Sequence, residues 1–423
     1  MSQVAGIEYD DTPVAPTPVR RRSRSLSPAR LLLAFALELV LFSVVRVISG
    51  ANELTSSGTV GAALGLAVPI GMAGLGGLWS ERAGVVNIGL EGMMILGTFG
   101  AGWIGWQYGP WAGIACAIGF GAVGGLVHAI ATVSFGVDHI VSGVAINILG
   151  LGVTQFLASL LLAGSPGGGE TQSPPVDPVG TMSVPFIREP LGDLEQKHWF
   201  LVSDLAGVLR GLLTSVSYVT VIAVLFVVLT YLVLWHTAFG LRLRSCGEDP
   251  YAAESLGVQV YLHKYIAVVV SGALAGFGGA YLVIVAASHY REGQTAGRGY
   301  IGLAAMIFGN WRPGGLAAGA GLFGYSNAVQ LRNALAVHAL LLLAAICLGL
   351  LAAWMGWRQR WVAAILGGAF GLLALAWYLT TDTLPPQVTF ITPYVTTLLV
   401  LALASQRLRM PKADGLIYRK GSR

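Results

Sequence analysis

Ile140–Ala163, Tyr218–Trp235, Tyr265–Val285, Ala336–Trp354 and Val388–Ser405 are long apolar runs that hold no Asp, Glu, Lys or Arg. A helix that crosses a hydrocarbon core of about 30 Å needs roughly 20 such residues. Leu31–Ser49, Thr59–Leu78, Ile88–Trp106, Trp111–Phe135 and Trp361–Thr381 carry few charges and read the same way. Only 11% of the 423 residues are charged, against about 25% in soluble domains, so a water-exposed globule is excluded. A membrane β-barrel would alternate apolar and polar residues in units of about ten, and these runs are continuous. The predicted fold is all-α: a polytopic transmembrane helical bundle of about ten spans plus one broken helical hairpin.

Charge placement orients the spans. Arg20, Arg21, Arg22, Arg24 and Arg30 precede the first run, Arg242 and Arg244 follow Trp235, Arg358 and Arg360 follow Trp354, and Arg407, Arg409 and Lys412 close the chain. By the positive-inside rule these four clusters are cytoplasmic, and so are both termini. No small-residue cleavage site follows Ser49, so the first run is read as an uncleaved span. Residues 1–30 are expected to be a disordered cytoplasmic tail, 31–409 the transmembrane domain and 410–423 a second cytoplasmic tail. Parity puts the Pro/Gly-rich segment 164–212 outside and 236–264 inside. It closes only if Tyr300–Leu331 starts and ends outside, interrupted by "GNWRPGG", where Pro313 stops a helix and Arg312 is costly in lipid. Whether that tip reaches the cytoplasm stays open. The long outer segment fits a docking surface or a plain linker equally.

Small-xxx-small pairs at Gly121/Gly125, Gly272/Gly276 and Gly315/Gly319 let helix backbones approach closely and argue for internal packing rather than a specific dimer. Cys116, Cys246 and Cys347 read as small hydrophobes. No P-loop motif, H-E-x-x-H pair or G-x-S-x-G elbow is present, and no run of intramembrane acids suggests a proton relay. No metal site, nucleic-acid partner or cofactor on this chain is expected, and lone intramembrane histidines such as His128 read as hydrogen-bonded packing.

Two segments stand out. In "RLRSCGEDPYAAESLGVQVYLHK", Asp249 is an N-cap type, Pro250 suits the first helical position and Gly257 suits a left-handed stop. The short helix between them has an apolar side of Ala252, Ala253 and Leu256 and is too short to stand alone. It lies either on the membrane surface or on a cytoplasmic partner. In "GLGGLWSERAGVVNIGLEGMMILGTFG", helix breaks at Trp79–Asn87, Asn87 reads as the cap of the next helix, and Glu91 lies one turn inside it, at the positive end of the helix dipole. Glu81 and Arg82 are expected to pair across the bundle. Broken helices at membrane depth face protein or water, so this break, like that at Asn310–Pro313, either packs or lines a polar pathway.

"LGGLWSERAGVVNIGLEGMMILGTFGA", "GLRLRSCGEDPYAAESLGVQVYLHKYIAVVVSGALAGFGGAYL" and "GRGYIGLAAMIFGNWRPGGLAAGAGLFGYSNAVQLR" together resemble permease subunits of bacterial ABC importers. The resemblance is to the ribose/branched-chain amino acid permease superfamily, nucleoside/simple-sugar group, and covers roughly Leu64 to Arg332. The arginine-rich N-terminal tail, the long outer loop and the last two spans exceed the compact family pattern. The resemblance implies that Glu248, Asp249, Pro250, Ala252, Ala253, Glu254, Leu256 and Gly257 couple the chain to a separate ATPase, which binds ATP and Mg. It further implies a second permease subunit in a hetero- or homodimer, an extracellular substrate-binding lipoprotein and a bacterial plasma-membrane location. Transport would be by alternating access, with nucleosides before simple sugars as the solute. Glu81 and Arg82 mark the signature break, and Asn87, Glu91, Asn147, Phe308, Asn310 and Trp311 are the candidate pathway residues. The rivals are a secondary transporter working without an ATPase and a membrane-embedded enzyme.

Overall fold

A computed structural model describes residues 28–332, 334–385, 387–389, 391 and 408–421. The chain forms α1 (Pro28–Ser49), α2 (Ser57–Arg82), α3 (Leu90–Tyr108), α4 (Pro110–Ala129) and α5 (His139–Leu161). There follow α6 (Arg188–Gln196), α7 (Val202–Leu213), α8 (Tyr218–His236), α9 (Ala238–Glu248), α10 (Pro250–Ser255) and α11 (Val260–Tyr281). The last are α12 (Arg298–Phe308), α13 (Pro313–Arg332), α14 (Ala334–Trp357) and α15 (Trp361–Thr380). Wide π-turns extend α4 over Ile130–Ser134 and α11 over Leu282–Ala287. Among the described residues the only strands are the paired dipeptides Thr181–Met182 and Val216–Ser217.

Among the described residues eight helices (α1, α2, α4, α5, α8, α11, α14 and α15) are long and apolar enough to cross a membrane. α3, with 19 residues, packs beside them against α4, α5 and α11. Most of the tenth expected span, Val388–Ser405, and the expected tail up to residue 27 lie outside the described residues.

The middle of the bundle is α2 and α11, and glycine puts them there. A Cβ on Gly121 would meet the Gly272 carbonyl oxygen at 2.2 Å, one on Gly272 would meet that of Gly121 at 2.2 Å, and one on Gly276 would meet that of Ala117 at 2.2 Å. Backbone therefore lies on backbone along the α4–α11 seam, as the small-xxx-small spacing implied. Gly76 meets Ser271 and Gly74 meets Gly302 as closely, seating α2 against α11 and α12. Gly315 packs on Gly309, and Gly319 faces Ala305 across the α12–α13 hairpin.

Segment 164–212 is folded onto the bundle. Asp204 of α7 is buried and forms an ion pair with Arg46 of α1 at 2.7 Å, and it accepts hydrogen bonds from the Ser43 and Thr55 hydroxyls. Such a pair persists where every lone pair finds a donor. The α12–α13 hairpin tip, left open by the sequence, lies beside the Arg82 end of α2, while Arg332 returns to the opposite end next to Gly58 and Glu53.

Candidate functional site

The first break is shorter than its sequence suggests. α2 continues through Glu81 to Arg82, and α3 starts at Leu90, so the irregular stretch is residues 83–89. Its backbone groups are met by side chains from four helices. Ser80 donates to the Val85 carbonyl at 2.5 Å, Lys264 to that of Gly84 at 3.4 Å, and Asn147 to that of Ile88 at 3.1 Å. His128 donates through Nε2 to the Val86 carbonyl at 3.1 Å, which leaves Nδ1 to accept from Ser142 at 2.8 Å. His139 Nδ1 accepts the Val86 N–H at 3.3 Å. A break buried in a membrane protein persists only with such partners.

Asn87 does not cap α3. Gly89 occupies the N-cap without a side-chain bond, and the fully buried Asn87 amide instead donates to Ser271 Oγ of α11 at 2.9 Å. The first turn of α3 is served from another helix, since the Gly92 N–H donates to Asn147 Oδ1 at 2.7 Å. Glu91 sits in that turn, but its carboxylate bonds elsewhere: Oε1 accepts from the Gly297 N–H at 2.9 Å and Oε2 from the Gly299 N–H at 2.7 Å. It thereby caps α12 across the bundle. Gly302 packs on Ile70 and Gly74, so the Glu91–Gly299 contact lies roughly 15–20 Å from the Arg82 end at 1.5 Å per residue.

The second break meets the first directly. Trp311 is buried; its indole donates to Glu81 Oε2 at 2.5 Å, and its carbonyl accepts from Arg82 Nε and Nη2 at 3.0 and 2.6 Å. Asn310 and Trp311 both have positive φ, +54° and +52°, a strained pairing for non-glycine residues that only a firm surround sustains. Asn310 Oδ1 also accepts the Arg409 N–H at 2.7 Å. Phe308 is half-buried against Phe323, ring centroids 5.6 Å apart.

α10 joins the same end of the bundle. Its local grammar is as expected: Asp249 accepts from the Ala252 N–H at 3.0 Å, Pro250 opens the helix, and Gly257 has φ +81°. Its expected apolar side divides. Ala253 is buried against Cys246, Val260 and Tyr418, so it does not belong to an outward face, whereas Ala252 is exposed and Leu256 is 85% exposed. Glu254 is half-buried, and Glu248 closes α9. A cavity of about 470 Å³ opens beside Gly257, between α9 and the first turns of α11. Trp235 links this loop to the first break, since the guanidinium carbons of Arg82 and Arg244 lie 5.4 and 5.3 Å from its ring centroid.

Several members of this cluster escape sequence reasoning. Ser271, His139 and Trp235 look like ordinary span residues, and Tyr300, 46% exposed, donates no local signal although its hydroxyl accepts from Asn147 at 2.9 Å. Asp414, in the closing segment, is buried beside Glu81, Arg82 and Lys264, and burial pushes its carboxyl up to about 7. A folded-state value raised above the ordinary 3.8 means docking of this segment is strongest with the proton on and weakens as pH rises through that window. Amide exchange at Ala413, whose N–H donates to the Gly247 carbonyl in the docked segment, is therefore expected to lose protection toward pH 8 in the wild type relative to Asp414→Asn. Equal pH profiles for the two would refute this.

Residues 59–350 match the family described as branched-chain amino acid transport system / permease component. The chain is 32% identical to the guanosine ABC transporter permease protein NupQ of Bacillus subtilis, over 86% of this chain and 97% of that one. It is 31% identical to the nucleoside ABC transporter permease protein NupC of Lactococcus lactis, over 83% and 93%. A putative glucose ABC transporter permease protein, TsgC13 of Haloferax volcanii, is 33% identical over 66% and 78%. No solved structure matches the chain. With its match running from α2 into α14 and enclosing both breaks and α10, the chain belongs to the permease-component family of the branched-chain amino acid transport systems.

Proposed function

We propose that this chain is the membrane-spanning permease subunit of an ABC importer for nucleosides, worked by alternating access and powered by a separate ATPase that holds the ATP and Mg. The observation that carries the reading is α10: a capped two-turn helix anchored through Ala253, with Leu256 left bare at the end of the bundle where both helix breaks meet. A helix this short has no stability of its own, so a rigid mount with an apolar tip suits a transmitter of force. Displacement of α10 reaches the first break through α9, Arg244, Trp235 and Arg82, and the second through the bonds of Arg82 and Glu81 to Trp311. Alternating access requires two states whose balance nucleotide and solute both bias, and this linkage gives them a common element.

In this reading α10 faces the cytoplasm, both termini lie on that side of a bacterial plasma membrane, and the α6–α7 segment faces an extracellular substrate-binding lipoprotein. Asn87, Glu91 and Trp311 are buried and hold the frame of the pathway, with Phe308 and Asn310 at the hairpin tip. Asn147 and Tyr300 contribute the solute-facing groups: they are only partly covered at membrane depth, where a polar side chain faces protein or a polar pathway rather than lipid. A second permease chain, identical or related, supplies the facing wall. An aromatic ring beside an amide suits a nucleobase, in keeping with relatives named for guanosine and nucleosides.

Cells lacking this chain are expected to lose uptake of labelled nucleoside but not of labelled glucose. Wild-type chain restores it, whereas Leu256→Asp reaches the membrane at normal abundance and restores less than about a tenth, the size of a typical coupling energy. Intact nucleoside uptake in the deletion strain would sink the substrate assignment. Full restoration by Leu256→Asp would sink the role of α10.

A further inference from the structure

The segment 408–421 is apolar and basic by turns, has no helical pattern, and nonetheless lies against α9, α10, α11 and both helix breaks. The Ala413 N–H donates to the Gly247 carbonyl at the end of α9 at 2.8 Å, and the Arg409 N–H to Asn310 at the hairpin tip at 2.7 Å. A turn with Gly415 at φ +78° then brings the segment under the first break, with Ala413 against Gly84 and Gly415 against Val86. Ile417 reaches Gly136, between α4 and α5. The segment ends on Tyr418, 6% exposed, whose ring lies 5.2 Å from Tyr251 of α10 and 5.4 Å from Tyr261 of α11, with Lys264 Nζ 5.9 Å above it.

Two features separate this from casual packing. Tyr418 completes the small core that buries Ala253, so the face by which α10 is mounted is made partly of this segment. Asp414 is 8% exposed among Glu81, Arg82 and Lys264, the charged groups of the first break and of α11. Among the described residues its oxygens take no hydrogen bond of standard geometry, so the buried carboxyl is tied to these groups through charge, with Lys264 and Arg82 close enough to act on it.

We propose, on the reading of α10 as the ATPase-facing helix, that residues 411–418 form a strap that fixes α10 to the two helix breaks. Tyr418 is its positioning residue on α10, and Asp414 its positioning residue on the first break. Without the strap, α10 is mounted, among the described residues, by α9 and α11 on either side of it, and a push on Leu256 tilts α10 instead of moving Arg82 and Trp311. The strap therefore sets how much solute is moved per ATP, not whether the ATPase binds or turns over.

The test uses the full permease co-expressed with its ATPase and receptor, reading nucleoside uptake and ATP hydrolysis on the same vesicles. Tyr418→Ala, and a chain ending at Lys412 that leaves the membrane core intact, are expected to lower uptake per ATP about tenfold while hydrolysis stays near wild type. Tyr418→Phe keeps the ring and is expected to keep the ratio. If Leu256→Asp uncouples the vesicles while Tyr418→Ala and the shortened chain keep the wild-type ratio, the strap is refuted and the reading of α10 stands. If Leu256→Asp leaves the ratio unchanged, the reading of α10 falls and the strap with it. Loss of hydrolysis and uptake together in the shortened chain also refutes it, because the segment would then be needed for assembly.

Discussion

Gly272→Leu is expected to abolish accumulation of the permease in the membrane. The added Cβ alone would meet the Gly121 carbonyl oxygen at 2.2 Å and the Gly125 nitrogen at 2.8 Å. Those atoms belong to the backbone of α4, so no rotamer change relieves the clash, and the two helices must separate along the whole seam. Ordinary overpacking against side chains costs about 1–3 kcal/mol, and an obstruction made of backbone exceeds that. The lost contacts would be close van der Waals packing, which holds membrane helices together where no hydrophobic drive separates helix from lipid. Gly119 is the control: it lies on α4 with nothing within 4 Å of its added Cβ, so Gly119→Leu is expected at wild-type abundance. Immunoblots of membrane fractions and the elution profile of detergent extracts read both. Normal levels of Gly272→Leu would mean that α4 and α11 do not meet at these glycines.

That seam was legible in the sequence because its rule is local. Glycines four apart fall on one helix face, and a face of glycines has few uses other than close approach. The caps of α10 were legible for the same reason: Asp249, Pro250 and Gly257 act within one turn of themselves. Asn87 was misread by this logic. It has the side chain of an N-cap and stands near a helix start, but its partner Ser271 is 184 residues away, and tertiary hydrogen bonding overrode the local preference. Ala253 failed similarly, since helical spacing groups it with Leu256 while only the fold reveals that Tyr418 covers it. The pairing of Glu81 and Arg82 across the bundle was foreseeable from the cost of charge in lipid. Trp311 as their common partner was not, because its left-handed backbone turns the carbonyl toward Arg82 in a way no propensity encodes.

Glu91→Ala is the second change expected to be severe, and Glu91→Gln the one that explains why. The carboxylate receives the Gly297 and Gly299 N–H groups, one on each oxygen, at the start of α12. Hydrogen bonds to a charged group contribute about 1.5–3 kcal/mol each, so alanine forfeits on the order of 3–6 kcal/mol. The Gly299 N–H is buried and would be left without a partner, whereas the Gly297 N–H is only part-buried, so the loss is expected within that range and not above it. Glutamine keeps one acceptor oxygen but turns an NH2 group toward the second N–H, so roughly half the loss is expected. Aspartate is one methylene shorter and is expected to resemble alanine, because Gly299 already lies against the Glu91 backbone and cannot come closer to restore the bond. Thermal unfolding of detergent-solubilised variants should therefore rank wild type above Gln, and Gln above Asp and Ala. Nucleoside uptake by the Gln variant should show a lowered maximal rate, following its lowered abundance, with KM unchanged. A raised KM at wild-type thermal stability would place Glu91 in contact with the solute instead of at the head of α12, and the frame of the pathway would then have to be redrawn around it.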